Sequence, residues 1–363
     1  MKLLYIVPNI NNEGGVARVL SVKANYLVEK LGYEVHILTQ NEGFYPLFYT
    51  FNSNIIFHDM VLKGNLFKFL NSFSKGLKYK IKTIEPDVII VCDNGLKAYL
   101  IPFILNMNTP IIFECHSSKY IEETEPTQYF TSTKIKMFFK ELAVNRFTKF
   151  VALSKESLKE WNVKNGVVIP NPLWFEPTTF SDLKSKKVIA VGRHSYEKGL
   201  DRMLQIWQKV IQKHSDWTLE IYGKSTENGN LRLLAEDLNI LNNVVFYEPV
   251  QNIKEKYLDA SFYLMTSRFE GFGMVLIEAM ASGLPCIAYD CPCGPRGVLS
   301  HGEDGFLIEN GNETEYVRAV ETLIENVQLR QEMGEKAKKT REKYQIDSIM
   351  ETWNQLFIGI KKH

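Results

Sequence analysis

Two carboxylates, Glu270 and Glu278, bracket a glycine-rich loop in the last third of this 363-residue chain. The loop, Gly271-Phe272-Gly273, joins an apolar strand-like run to an apolar helical run. The first N–H groups of a helix lack partners within the helix and lie at the positive end of its dipole, so they attract anions. Carboxylates in turn accept hydrogen bonds from hydroxyl groups. The combination predicts a site for a sugar nucleotide rather than for a bare phosphate.

A purely structural explanation of the two carboxylates is also open, with Glu270 as a helix cap and Glu278 as half of a buried ion pair. Glu278 lies within the apolar run 276–280, where an unpaired charge is costly. The sequence therefore predicts a specific partner for Glu278, and it places Glu270 in the loop that precedes the helix.

Two cations, Arg193 and Lys198, flank a second loop, which follows the predicted strand 188–191. Arginine can bind a diphosphate through two parallel hydrogen bonds, and lysine can bind it as a point charge. An isolated pair of this kind is more often solvated surface charge. Its position beside glycines, at the carboxyl end of a strand, favours ligand binding.

Further candidates follow predicted strands in the N-terminal half. Gly15 opens a helix, where a glycine lets a ligand approach the backbone, although an ordinary strand-to-helix turn explains it equally well. Asp93 and Asn94 are candidates for binding an acceptor. His116 can bond a sugar hydroxyl as a neutral imidazole, but a lone histidine is more often a packed or surface residue.

Composition limits the class of protein. Hydrophobic residues make up 45% and charged residues 23%, as in globular proteins, and a net charge of +1 gives no reason to expect a nucleic-acid partner. Five cysteines, an odd number, predict free thiols in a reducing compartment. The pair in Cys291-Pro292-Cys293 lacks a second pair of ligands, so no metal is expected. Without a signal-peptide pattern or a membrane-spanning apolar run, we expect a cytoplasmic protein.

Short β-branched runs alternate with helical patterns along the whole chain, which predicts parallel sheets with right-handed crossovers. We predict two doubly wound domains, residues 1–172 and 173–345, and a C-terminal helix, 346–363, that crosses back to the first domain. The boundary is Pro170-Asn171-Pro172, because two prolines stop a strand and stiffen a connection. Open α/β sheets bind ligands at the carboxyl ends of their strands, so a cleft between the domains is the expected site. The predicted strands are 3–7, 35–39, 54–58, 88–91, 111–114, 150–153, 167–169, 188–191, 218–222, 244–247, 262–266, 286–289 and 306–308.

Two basic, aromatic stretches, 62–82 and 134–140, leave two interpretations open. The first contains six lysines and no acidic residue. Such segments can lie on an anionic membrane surface. They can equally form amphipathic helices that pack their apolar face on a sheet and leave their lysines in solvent.

A series of short motifs follows one another in a fixed order along the chain. The strong ones are Val191-Gly192-Arg193, Lys198-Gly199, the stretch from Glu270 to Glu278, Gly283-Leu284-Pro285-Cys286-Ile287, residues 290–296 and residues 302–307. Weaker ones are Gly14-Gly15, residues 151–154 and residues 169–172. In these motifs the chain resembles the retaining glycosyltransferases of family 4, which have the GT-B fold of two Rossmann-like domains facing a cleft. One departure is Gly297, which stands where similar sequences often have an acidic residue.

The resemblance implies a role for each candidate residue. The reaction it implies transfers a sugar from a nucleotide sugar, with retention at the anomeric carbon and without a metal or other cofactor. By this resemblance Arg193, Lys198 and Gly15 contact the donor diphosphate, and Glu278 contacts the ribose. Glu270 and the backbone of Gly271, Phe272 and Gly273 contact the donor sugar. His116 contacts the reacting sugar.

We therefore expect a retaining glycosyltransferase that moves a hexose or N-acetylhexosamine from a nucleotide sugar, UDP-linked, to a glycan or lipid-linked acceptor. Surface polysaccharide biosynthesis at the inner face of the cell membrane is the expected setting. A GT-B sugar-nucleotide epimerase and a non-catalytic nucleotide-sugar-binding protein are the alternatives. A dehydrogenase is disfavoured because the G-x-G-x-x-G fingerprint is missing.

Overall fold

The computed structural model describes residues 1–43, 46–105, 109–119, 130–225 and 231–361. The chain divides into two compact units, Met1–Trp174 together with Ile346–His363, and Phe175–Gln345. The expected boundary after residue 172 lies close to this division. The C-terminal segment from Ile346 belongs to the first unit.

Thirteen strands are found in the described residues, one for each predicted strand, with ends that differ by at most two residues. Those of the first unit are β1 (Lys2–Ile6), β2 (Glu34–Gln40), β3 (Ile56–Met60), β4 (Val88–Val91), β5 (Ile111–Cys115), β6 (Lys149–Ala152) and β7 (Gly166–Val168). Those of the second unit are β8 (Lys187–Val191), β9 (Thr218–Tyr222), β10 (Val244–Tyr247), β11 (Phe262–Met265), β12 (Cys286–Asp290) and β13 (Gly305–Glu309).

Each unit contains one parallel sheet. The order is β3-β2-β1-β4-β5-β6-β7 in the first and β10-β9-β8-β11-β12-β13 in the second. In both sheets the chain first builds strands to one side and then crosses to the other. This gives a switch point between β1 and β4 and another between β8 and β11. Ligands of open α/β sheets bind outside the carboxyl ends of the strands at such switch points.

Helices connect most of the consecutive strands, as is usual for parallel pairing. Some begin with a side-chain cap; Ser154, for example, precedes α5 and accepts a hydrogen bond from the Ser157 backbone N–H at 3.0 Å. The helices are α1 (Gly15–Glu29), α2 (Leu66–Ile84), α3 (Ile101–Ile104), α4 (Phe130–Val144), α5 (Lys155–Lys159), α6 (Leu200–Ile211), α7 (Leu231–Asp237), α8 (Lys254–Leu258), α9 (Met274–Ala281), α10 (Glu313–Glu325), α11 (Val327–Lys339) and α12 (Ile346–Lys361).

The central strands are apolar on both faces because helices cover both sides of a doubly wound sheet. Every residue of β4 and of β11 is buried. In the first unit, Phe113 of β5 packs against Phe147 and Phe150, with ring centroids 5.1 and 5.7 Å apart. In the second unit, Trp207 of α6 is fully buried, and its indole N–H donates to the Asn243 carbonyl at 2.9 Å.

The two basic, aromatic stretches fall on α2 and α4. Phe73, Leu77 and Ile81 of α2 are buried, so this helix does pack an apolar face. Two of its aromatic rings remain in solvent, however, with Phe67 81% and Tyr79 68% exposed.

On α4, Ile135 and Phe138 are each 70% exposed. Lys140 does not remain in solvent as the packing interpretation expects, because it is 3% exposed and lies 5.4 Å from the centroid of the Tyr99 ring. Among the residues that the structure describes, no helix has both the length and the apolar content needed to cross a membrane.

Candidate active site

Two oppositely charged candidates meet at the switch point of the second sheet. The loop after β8 carries Arg193 and Lys198, and the loop after the neighbouring strand β11 carries Glu270. Lys198 Nζ lies 2.7 Å from Glu270 Oε1. The structure thus brings together a cation and a carboxylate that the chain separates by 72 positions.

Glu270 is held in one orientation. Its side chain is 6% exposed, and Oε1 accepts a second hydrogen bond from Ser267 Oγ at 2.6 Å. Lys198 is 24% exposed, so the ammonium group can be reached from solvent while the carboxylate is nearly covered. A carboxylate this deeply buried requires such partners, because an unpaired charge there would be strongly destabilising.

Arg268 ties the two loops to each other. Its guanidinium donates two hydrogen bonds to the Asp201 carboxylate, at 2.6 and 2.8 Å, and one to the Tyr196 carbonyl at 2.8 Å. The Arg268 backbone N–H also donates to the Glu197 carbonyl at 2.7 Å. Since Tyr196 and Glu197 directly precede Lys198, these bonds fix the position from which Lys198 reaches Glu270.

Two glycines are required for the close approach of these loops. Gly199 has φ +60°, and a Cβ there would lie 2.2 Å from the Thr266 carbonyl oxygen. A Cβ at Gly294, in the loop after β12, would lie 2.5 Å from the Cβ of Glu270. Side chains are therefore excluded at both positions, and the backbone itself encloses Glu270.

Cys291 and Cys293 lie in that same loop. All five cysteines are free, as predicted, and the structure shows that all five are also buried. Burial, followed by the charge of Glu270, raises the pKa of the Cys291 thiol. Cys291 is therefore a neutral thiol at physiological pH and not a nucleophile.

Glu278 lies on α9, separate from the loop of Glu270, as the sequence indicates. It is 3% exposed, and its Oε2 accepts a hydrogen bond from the Tyr257 hydroxyl at 3.0 Å. The specific partner expected for this buried carboxylate is therefore present. Its bond to a ribose remains a prediction.

A glycine in a left-handed conformation directly precedes α9. Gly273 has φ +82°, a left-handed conformation that a residue with a side chain adopts only under strain. Phe272 is 5% exposed, and its ring packs edge-on against Tyr344 at 5.8 Å. The predicted ligand contact through the backbone of Gly271, Phe272 and Gly273 remains a prediction.

Arg193 is exposed at the carboxyl end of β8. Its charge acts on Glu197 in the same loop. Burial alone would raise the pKa of Glu197, but the Ser195 hydroxyl, the backbone and the charges of Arg193 and Lys198 hold it below its usual value. Arg193 and Lys198 therefore form one positive region around Glu197.

The candidates of the first unit follow three adjacent strands. Gly15 starts the helix after β1, Asp93 and Asn94 follow β4, and His116 follows β5. A Cβ at Gly15 would meet no atom within 4 Å, so packing within the chain does not require this glycine. Open space at a helix start leaves room for a ligand at the backbone.

Asp93 is 4% exposed; its Oδ1 accepts from the Gly95 backbone N–H at 2.7 Å, and Oδ2 lies 3.5 Å from Lys97 Nζ. Burial raises its pKa in spite of these partners. The buried Oδ1 of Asn94 has no hydrogen-bond partner among the described residues. A buried acceptor in this state is available to a ligand hydroxyl.

A buried ion pair beside His116 was not identified from the sequence. Lys23 Nζ lies 2.6 Å from Glu114 Oε1, and each side chain is 1% exposed. The same oxygen lies 3.3 Å from His116 Nε2. A signal was available, because Lys23 interrupts the apolar face of α1 and Glu114 interrupts the apolar strand β5.

Cys92, Glu114 and His116 place one potential ligand atom each within 4.8 Å of one another, which is a possible metal site on geometry alone. The Lys23 ammonium already lies 2.6 Å from the Glu114 oxygen that faces His116. A metal ion bound here would meet this positive charge at close range. These residues therefore fit a metal ion poorly.

Sequence comparisons place the chain in a family. The family model described as Glycosyltransferase Family 4 matches residues 13–173, and that described as Glycosyl transferases group 1 matches residues 175–340. An uncharacterized glycosyltransferase of Haemophilus influenzae is 32% identical over 359 residues, which cover 97% of this chain and 98% of that protein. The chain belongs to glycosyltransferase family 4. The amylovoran biosynthesis glycosyltransferase AmsD of Erwinia amylovora is 28% identical over 98% of this family 4 chain and 99% of its own length.

Solved structures show that this family 4 protein has the predicted GT-B fold. Sucrose-phosphate synthase from Thermosynechococcus elongatus superimposes with a TM-score of 0.83 at 16% identity, covering 99% of both chains. Anabaena Alr3699/HepE, in a crystal structure with UDP-glucose, gives a TM-score of 0.79 at 17% identity, covering 99% of this chain and 100% of that one.

Proposed function

We propose that the protein is a retaining glycosyltransferase that moves a hexose or N-acetylhexosamine from a UDP-sugar to a glycan or lipid-linked acceptor in surface polysaccharide biosynthesis. The observation that carries the proposal is the 2.7 Å contact between Lys198 Nζ and Glu270 Oε1. It lies at the switch point of the second sheet, within the segment that matches Glycosyl transferases group 1.

The Lys198–Glu270 pair is suited to receive a donor. A diphosphate is more negative than one carboxylate and attracts the accessible ammonium of Lys198. As Lys198 turns to the diphosphate, Glu270 loses one of its two donors and keeps Ser267. A hydroxyl of the donor sugar then takes the place of Lys198, so that the buried carboxylate stays satisfied.

Departure of the diphosphate is the step that needs stabilisation. When the bond from the anomeric carbon to the diphosphate breaks, negative charge develops on the diphosphate. In this proposal Arg193, Lys198 and the first N–H groups of α9 stabilise that charge, and no metal ion is required. The departing diphosphate takes the acceptor proton, so no strong protein base is needed.

The first unit supplies the remaining roles. We assign Gly15 to the donor phosphate, because no atom fills the space where its Cβ would lie. His116 contacts the reacting sugar, and Asp93 and Asn94 contact the acceptor. The unpartnered Oδ1 of Asn94 supports this last assignment.

The choice of donor and acceptor draws on named relatives. The Anabaena protein was crystallised with UDP-glucose, and the Erwinia relative is named for amylovoran biosynthesis. These names support a UDP-sugar donor and a polysaccharide product.

The proposed location of the enzyme is the cytoplasmic face of the membrane. Exposed apolar side chains on α2 and α4, Phe67, Tyr79, Ile135 and Phe138, support peripheral contact with a lipid surface. Five lysines of the stretch 62–82, at positions 63, 68, 75, 78 and 82, are exposed and would face anionic headgroups.

A donor panel tests the proposal. The full chain is incubated with UDP-glucose, UDP-galactose, UDP-N-acetylglucosamine and GDP-mannose, and released nucleotide and the first-formed sugar anomer are followed by NMR. We expect release of UDP from one UDP-sugar, with the product formed in the configuration of the donor. An epimerised or dehydrated sugar would indicate the epimerase instead. Binding without any turnover, over the whole panel and with polysaccharide acceptors, would indicate a non-catalytic protein.

A further inference from the structure

Glu114 joins three segments of the first unit. Its Oε1 lies 2.6 Å from Lys23 Nζ of α1 and 3.3 Å from His116 Nε2, in the segment after β5. Its Oε2 accepts a hydrogen bond from Cys92 Sγ, after β4, at 3.4 Å. The carboxylate is 1% exposed and His116 is 6% exposed. The His116 imidazole is therefore held by a buried protein group, the Glu114 carboxylate, rather than by solvent.

Lys23 is itself held in place. Its Nζ lies 3.7 Å from the centroid of the Trp353 ring on α12, and Trp353 is 1% exposed. A cation placed between a carboxylate and an indole face is stabilised from both sides. Burial alone would raise the pKa of Glu114, but Lys23 and then His116 hold it well below its usual range. Glu114 is therefore ionised at neutral pH.

An ionised carboxylate beside a ring nitrogen determines where the imidazole carries its proton. A carboxylate can only accept hydrogen bonds, so it stabilises a proton on the facing Nε2. A neutral imidazole with its proton on Nε2 has a lone pair on Nδ1. Lys23 Nζ lies closer to Oε1 than His116 Nε2 does, at 2.6 against 3.3 Å, so this oxygen is shared between the ammonium and the imidazole.

We propose that Glu114 is a positioning residue that holds His116 with its proton on Nε2 and so presents Nδ1 as the acceptor for a hydroxyl of the sugar substrate. The proposal rests on the proposed function, in which His116 contacts the reacting sugar. Lys23 and Trp353 act one step further away, by keeping Glu114 ionised and in place.

The test uses two variants of the full chain that differ in whether an acceptor remains. Glu114→Gln keeps an oxygen that the Lys23 ammonium draws to the position of Oε1, where it can still accept from His116. The double variant Lys23→Met/Glu114→Leu removes the acceptor and both charges, so it leaves no buried charge unpaired. The double variant keeps the test usable if Glu114→Gln does not fold.

Two measurements are made on each variant. In histidine-labelled protein, the Nε2-bound proton of His116 is detected by its one-bond coupling to nitrogen and assigned from its loss in His116→Asn. Steady-state kinetics are measured with UDP-glucose, or with whichever UDP-sugar of the panel turns over fastest.

We expect the Nε2 proton to be visible and slow to exchange in the wild type and in Glu114→Gln, and to exchange rapidly in the double variant. Turnover in the double variant should fall by about 10- to 100-fold, since a misplaced catalytic group costs this much, while the donor KM changes little. Glu114→Gln should retain more activity than the double variant.

An Nε2 proton that exchanges as slowly in the double variant as in the wild type would overturn the proposal. Rapid exchange with unchanged turnover would also overturn it, because His116 would then not contribute to transfer. The proposed function fails separately, if the Lys198 and Glu270 variants retain the activity of the wild type.

Discussion

Gly294 and Glu270 approach so closely that no side chain fits between them. A Cβ at Gly294 would lie 2.5 Å from the Cβ and 3.1 Å from the Cγ of Glu270. The φ of Gly294 is −112°, outside the left-handed region that favours glycine, so the requirement for glycine rests on the close approach of Glu270. The carboxylate that meets Lys198 therefore requires a glycine on a different loop, after β12.

Gly294→Ala should push Glu270 away from Lys198 and lower donor turnover by about 10- to 100-fold, since displacement by an ångström is sufficient for such a loss. The added methyl group should also cost about 1–3 kcal/mol of folding free energy, as overpacking does. Turnover and thermal melting measure the two effects. Gly359→Ala is the matched control, because a Cβ there meets nothing within 4 Å. Equal turnover in both variants would contradict the link between Gly294 and Glu270.

Lys198→Ala should lower donor turnover by about 10²- to 10³-fold, the loss typical of removing one group that stabilises developing charge. Glu270→Ala should lower it by about 10- to 100-fold, because the donor sugar loses the carboxylate that orients it. Both should remain folded. Glu270 retains Ser267 as a donor in the first variant, and Lys198 can turn to solvent in the second. Turnover and circular dichroism melting are the measurements.

The control for this pair is Lys213→Ala. Lys213 also forms an ion pair in the second unit, with Glu321 at 2.8 Å, but its side chain is 66% exposed. Lys213 follows the end of α6, whereas Lys198 precedes the start of that helix. Lys213→Ala should leave donor turnover unchanged. Near-normal rates in Lys198→Ala and Glu270→Ala would refute the proposed site.

The sequence was sufficient to predict the strands and their parallel pairing. Continuous β-branched runs such as Val88–Val91 are typical of strands covered on both faces, and each of them is a strand in the structure. The alternation with helices then predicts the doubly wound topology. The strand order itself comes from the structure, which places β8 beside β11 and so brings the loops after these two strands side by side.

Contacts between side chains from distant segments could not be predicted from the sequence. Lys23 and Glu114 are 91 positions apart, and their approach depends on how α1 lies on the sheet. A charged residue on an apolar face shows that a partner is needed but not which residue it is. The same applies to Tyr257, which lies beside Glu278. Neither interpretation of the stretch 134–140 predicts the burial of Lys140, because sequence alone does not distinguish one buried lysine from its exposed neighbours.

Lys23→Met should destabilise the protein by about 3–5 kcal/mol, because it leaves Glu114 buried without its main counter-charge. The double variant Lys23→Met/Glu114→Leu should be far less destabilised, since apolar residues of similar size often replace a buried ion pair without loss. Urea unfolding of both variants tests this. A double variant that is no more stable than the single one would show that the two side chains are not coupled.

His58 should make folding stability depend on pH. Burial, then Lys80, then His36 lower the pKa of His58 to about 4, and its Nε2 lies 2.9 Å from His36 Nδ1. The unfolded chain has a histidine pKa near 6.5, so between about pH 6.5 and 4 it binds a proton that the folded protein does not. Stability is fully present above this window and falls as the pH falls through it. His58→Gln should lose less stability than the wild type between pH 7 and 5 in urea unfolding; equal losses would contradict this assignment.

The exposed rings of α2 and α4 predict binding to anionic vesicles. Phe67 and Phe138 would insert among the lipids while neighbouring lysines attract the headgroups, so both contacts contribute. Co-sedimentation with phosphatidylglycerol vesicles should show binding that weakens with salt and is reduced several-fold in Phe67→Ser/Phe138→Ser. Val327→Ser is the control, since Val327 is 46% exposed but lies in the second unit. Equal vesicle binding by both variants would mean that these two rings do not contact lipid. If that equal binding is lost in high salt, the lysines alone attach the protein to the vesicles.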